Sequence, residues 1–127
     1  MYRILVDQER NLLWNSFSGI VTPEECRSFQ LETKQVLEQL QPKFTILTDL
    51  TNLESMAYEC AAILRIYMDQ CRMHGVARVI RVIPDPSKDI GLAILSVFHF
   101  GRNVSIQTMT TLDEALAILP TNHPSPS

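Results

Sequence analysis

Phe44-Thr45-Ile46-Leu47-Thr48-Asp49-Leu50-Thr51 reads as a buried strand that ends in an acidic, hydroxyl-rich loop. A long helical pattern starting near Ser55 follows at once. A strand feeding a helix through a polar loop is the repeating unit of α/β proteins, and ligands gather at the carboxyl ends of such strands. This junction is therefore both the key to the fold and the first place to look for function.

Working outward, the apolar positions Ala57, Cys60, Ala61, Ile63, Leu64, Tyr67, Met68 and Cys71 keep helical spacing from Ser55 to His74. Gly75 is a left-handed stop, and Arg72 and His74 suit the helix's negative end. Upstream, Arg3 to Val6 and Leu12 to Ser18 predict a hairpin closed by Gly19. Thr22-Pro23-Glu24-Glu25 combines an N-cap, a first-turn proline and a capping-box glutamate, and Pro42 limits the helix it opens. Downstream, Val76 to Ile83 predicts a strand carrying Arg78 and Arg81. Pro84-Asp85-Pro86-Ser87 predicts a turn with an N-cap at Ser87, and Ile90 to Phe98 a helix stopped near Gly101. Val104 to Met109 predicts the last strand, and Thr111-Leu112-Asp113-Glu114 a second capping box whose helix runs through Leu119. The order ββαβαβαβα implies right-handed crossovers, so the expected fold is α/β: a mixed sheet of about five strands with helices mainly on one face.

The chain has 127 residues, enough for one domain with one core. That domain is expected over residues 1–119, with a Pro- and Ser-rich tail at 120–127. The apolar runs are too short to span a bilayer, and the start Met1 to Asp7 is charged too early for a secretory leader, so a cytoplasmic location is expected. A net charge of −3 argues against a nucleic-acid partner. Cys26, Cys60 and Cys71 read as reduced core thiols.

Several of these features together resemble the STAS domain, the SpoIIAA-like fold of anti-sigma-factor antagonists. They are the strand-to-Gly19 segment with its helix opening at Thr22, the run Leu47-Thr48-Asp49-Leu50-Thr51, the long helix ending at Gly75, and Thr111-Leu112-Asp113-Glu114-Ala115-Leu116. The outline covers residues 3 to 119. The resemblance implies a non-enzymatic, bacterial-type signal-transduction module that binds a regulatory protein of the kinase or anti-sigma-factor kind. Its surface would be Asp49, Thr51, Asn52, Ser55, Tyr58 and Glu59. In that family an Asp-Ser-Ser-Gly-like element opens the second helix and carries a phosphorylated serine. Here the matching stretch is Ala57-Tyr58-Glu59-Cys60, which has no serine, and Glu59 stands there as a permanent negative charge. Ser55 and Thr51 are the nearby phosphate acceptors.

Each candidate also has a plainer reading. Ser55 is an N-cap serine by position, and Asp49 a carboxylate turned onto nearby backbone N–H groups. Cys71 and His74 supply one pair of metal ligands with no second pair, so no metal and no cofactor is expected. His99 has no cysteine or orienting residue near it in sequence, so no catalytic set is assembled and the chain is not expected to be an enzyme. Arg65, Arg72, Arg78 and Arg81 read as surface charges, with Arg81 on the outer face of an edge strand. Met56, Met68, Met73 and Met109, with Trp14 and Tyr67, read as core. The alternative function is a small-molecule or lipid-binding domain with an apolar pocket between sheet and helices. A homodimer is compatible with either.

Overall fold

The computed structural model describes residues 1–83 and 104–119. Two strands, β1 (Tyr2–Asp7) and β2 (Leu12–Val21), lead into α1 (Pro23–Val36), which ends in a 3-10 turn at Leu37–Gln39. Then come β3 (Thr45–Met56), α2 (Cys60–His74), β4 (Arg78–Val82), β5 (Ser105–Met109) and a short α3 (Leu112–Ala117). The sheet order is β1-β2-β3-β4-β5, with β1 antiparallel to β2 and the later pairs parallel. The expected turn at 84–87, the helix over 90–101, His99 and the tail at 120–127 lie outside the described residues.

The local signals act as the residues require. Asn11 takes the left-handed φ of 52° that closes the β1–β2 turn, a conformation asparagine tolerates well. Its side chain also ties that turn to the entry of β3, donating to Gln41 O (3.1 Å) and accepting from Gln41 N (2.8 Å). Thr22 accepts from Glu25 N (3.2 Å), and Glu25 accepts from Thr22 N (3.4 Å), completing the box that starts α1. Gly75 ends α2 at φ 98°. The second box is half made: Thr111 accepts from Glu114 N (3.2 Å), while the Glu114 carboxylate receives hydroxyls instead of the Thr111 N–H.

Alternation along the strands gives the sheet two faces. Leu13, Phe17, Ile46, Leu50 and Val79 meet Cys26 and Phe29 of α1 and Leu64, Tyr67 and Cys71 of α2. Phe29 sits at the centre, its ring 4.8 Å from both Phe17 and Tyr67. On the opposite face, Leu12, Leu47, Ile80 and Val82 pack against Ala115 and Leu119, at and just beyond α3. Met56 and Met68 are buried, but Met73 is 89% exposed, contrary to its expected core position. At position 73 the side chain lies on the side of α2 away from Leu64, Tyr67 and Cys71.

Three features of the strands differ from the sequence reading. Gly19 does not close β2 but lies inside it at φ 68°, where the β2–β3 register shifts. The expected edge strand with Arg81 is interior, because β4 lies between β3 and β5. Arg81 is half-buried and donates to Thr108 Oγ1 (2.9 Å), and burial lowers its pKa. The largest difference is β3, which continues through Met56 where a loop and a helix start were expected.

Candidate functional site

β3 outruns its expected end because β2 continues to Val21 and keeps offering a partner. Leu53 and Met56 on this extension are buried in the apolar core. The ladder absorbs two extra residues of β3, one between Ser16/Asp49 and Ser18/Asn52, the other between Gly19/Leu53 and Ile20/Ser55. Asp49 shapes the first of these. Its Oδ1 accepts from Thr51 N (3.0 Å) and from the Thr51 hydroxyl. The carboxylate thus holds a local turn within the strand.

This changes the setting of the residues singled out above. Ser55 pairs with Ile20 in the sheet and is not an N-cap. The expected phosphate position at a helix N-terminus therefore does not exist at Ser55. The ladder ends with Ala57 N donating to Val21 O (3.1 Å). A tight turn follows, with Cys60 N donating to Ala57 O (2.9 Å) and Ala61 N to Tyr58 O (3.0 Å). Glu59 is the N-cap of α2 but its side chain makes no capping bond. Tyr58 is 76% exposed and Glu59 is exposed beside it.

Four of the six residues form two groups. Asp49 and Asn52 line a concavity of about 510 Å³ on the sheet face away from α1 and α2. Tyr58 and Glu59 mark the start of α2, on the order of 15–20 Å further along an extended segment. Thr51 lies between Asp49 and Asn52 on β3, and Ser55 between Asn52 and Tyr58. The concavity is also lined by Arg3, Leu5, Trp14, Ser16 and Ser18; of these the sequence reading took up only Trp14, as a core residue, whereas it is half-buried on this face. Their signal was the period of two: Trp14, Ser16 and Ser18 alternate with the buried Leu13, Asn15 and Phe17. Among the described residues, the space under α1 and α2 is filled by buried side chains.

The remaining candidates are structural in their surroundings. Burial pushes the Cys71 thiol up to about 12 and raises those of Cys26 and Cys60, so the reactive thiolate is disfavoured. His74 Nε2 donates to Leu40 O (2.9 Å). Among the described residues no group of three or more His, Cys, Asp and Glu side chains is placed to hold a metal ion. Arg78 donates to Gln107 Oε1 through Nε (2.8 Å) and an Nη (2.6 Å). No described helix is long and apolar enough to cross a membrane.

No protein-family model and no curated protein matches the chain. Among solved structures, the anti-sigma factor antagonist SpoIIAA in its unphosphorylated form matches with a TM-score of 0.62. The match covers 92% of this chain and 94% of that one at 16% identity. The chain therefore has a SpoIIAA-like, STAS-type α/β fold, as the resemblance in its sequence implied.

Proposed function

We propose that this chain is a non-enzymatic regulatory module that binds a partner protein through the start of α2 and the strand leading to it. The observation that carries the reading is Tyr58, an aromatic side chain 76% exposed beside Glu59 at a helix N-terminus with no side-chain cap. Exposed aromatics are favoured anchors in protein interfaces, and a neighbouring charge adds orientation and specificity. The SpoIIAA-like fold supports a regulatory role, with a partner of the kinase or anti-sigma-factor kind. Asp49, Thr51, Asn52 and Ser55 flank the anchor along β3.

Charge at this surface is supplied by Glu59. A phosphate on Thr51 would meet the Asp49 carboxylate that its hydroxyl now bonds, and would break that turn by repulsion. A phosphate on Ser55 would add charge on the strand, with no helix N–H groups to receive it.

The test begins with a native mass spectrum of the protein isolated from its host, which is expected to carry one protein partner. Tyr58→Ala is then expected to weaken that complex about tenfold or more, and Glu59→Lys to change it further. Affinity unmoved by both substitutions would remove the α2 start from the interface. A small organic mass in place of a protein would overturn the regulatory reading.

A further inference from the structure

The register lays ordered rows of side chains across the sheet face that α1 and α2 do not cover. Leu5, Trp14 and Leu47 form one row; Arg3, Ser16 and Asp49 form the next; Ser18 and Asn52 continue the third. Arg3 and Asp49 are two strands apart, about 10 Å between Cα atoms at ordinary strand spacing, with Ser16 between them. They are oppositely charged, yet no ion pair joins them among the described residues. Asp49 uses Oδ1 to hold Thr51, and its Oδ2 enters neither of those bonds. The concavity between them, about 510 Å³, falls within the range of small-molecule sites.

A ligand with one charge fits this row poorly. An anion drawn to Arg3 faces the Asp49 carboxylate, and a cation drawn to Asp49 faces the guanidinium. A ligand bearing both charges satisfies both ends. We propose that this face binds a small zwitterion with an apolar side chain, such as a free α-amino acid or a dipeptide. Its carboxylate meets Arg3, its ammonium meets Asp49, and its side chain lies against Trp14 and the half-exposed Leu5. Charge-assisted hydrogen bonds at both ends give direction, and the indole gives apolar contact area. This inference is carried by Arg3, Trp14 and Asp49, and the partner reading by Tyr58 and Glu59, with Asp49 common to both surfaces.

Trp14 is the chain's one tryptophan, so its fluorescence reports this concavity directly. The full chain is titrated with L-leucine and with glycyl-L-leucine up to about 10 mM, a limit that still captures millimolar affinity. Calorimetry runs in parallel. Saturable binding of at least one is expected, and which one binds tells the free amino acid from the dipeptide. N-acetyl-L-leucine and L-leucinamide, each lacking one charge, are expected to bind at least about tenfold more weakly, as is the preferred zwitterion to R3Q or D49N. D49N keeps an oxygen for Thr51, and R3Q changes an exposed side chain, so both are expected to fold. No saturable signal from either zwitterion overturns the proposal. So does equal affinity for a singly charged analogue, or binding unchanged in R3Q.

Discussion

Tyr67→Phe removes one oxygen from the interior, and the structure sets the size of the effect. Tyr67 is fully buried on α2, and its hydroxyl accepts from Asn15 Nδ2 (3.0 Å) on β2. Asn15 is 1% exposed, and its Oδ1 has no partner among the described residues. Without the hydroxyl, the amide loses its bonded partner where water does not reach. A buried polar group left unpaired costs about 1–3 kcal/mol, and for a chain of this length each kcal/mol lowers the melting temperature by about 3–5 °C. Asn15→Leu alone is expected to cost less, because Thr48 and Cys71 remain polar neighbours of the Tyr67 hydroxyl. The double variant removes both groups and is expected to recover about 1–2 kcal/mol relative to the sum of the singles. Urea unfolding measures all four proteins, with an unchanged m-value showing that the extent of unfolding is the same. Tyr67→Phe within about 0.5 kcal/mol of the parent, together with no coupling to Asn15, would refute the claim that this bond ties α2 to the sheet.

Gly75→Ala is expected to lower stability by about 1–2 kcal/mol, since φ is 98°, well past the left-handed helical region, while the new carbon meets Pro42 only at ordinary contact, 3.4 Å. Gly19→Ala, at φ 68° close to that region, is expected to lose only about 1 kcal/mol; a larger loss at Gly19 than at Gly75 by urea titration would refute the ranking by φ. Stability is also expected to fall on the alkaline side. Burial raises the Cys71 thiol from its ordinary value of 9.0 to about 12. The native state therefore holds a proton that the unfolded chain releases across that window, and stability declines by up to about 1.4 kcal/mol per pH unit. Tyr67, Cys26 and Cys60, raised by the same burial, steepen the fall. Stability that stays level from about pH 9 to 11 would contradict these protonated interiors.

The sequence by itself determined the features whose causes lie within a few residues. The Thr22–Glu25 box, the apolar face of α2 and its stop at Gly75 need no distant partner, because capping, side-chain period and positive φ are local properties. The alternation of strands and helices after the hairpin likewise implied the parallel crossovers, and the short motifs placed along it carried the resemblance to the SpoIIAA-like fold. What tertiary structure alone decided is where long-range pairing overrides a local preference. Ser55 suits a helix N-cap and also suits a strand. It became strand because β2, some thirty-five residues earlier, extends to Val21 and pairs with β3 through two bulges. Arg81 suits an edge strand by its alternation, but β5 pairs outside β4 and encloses it. The row Arg3–Ser16–Asp49 joins three segments that hydrogen-bond register alone aligns. No local pattern records which residue of one strand faces which residue of another, or which sheet face α1 and α2 leave uncovered. Those are set by hydrogen bonding and burial between segments far apart in the chain.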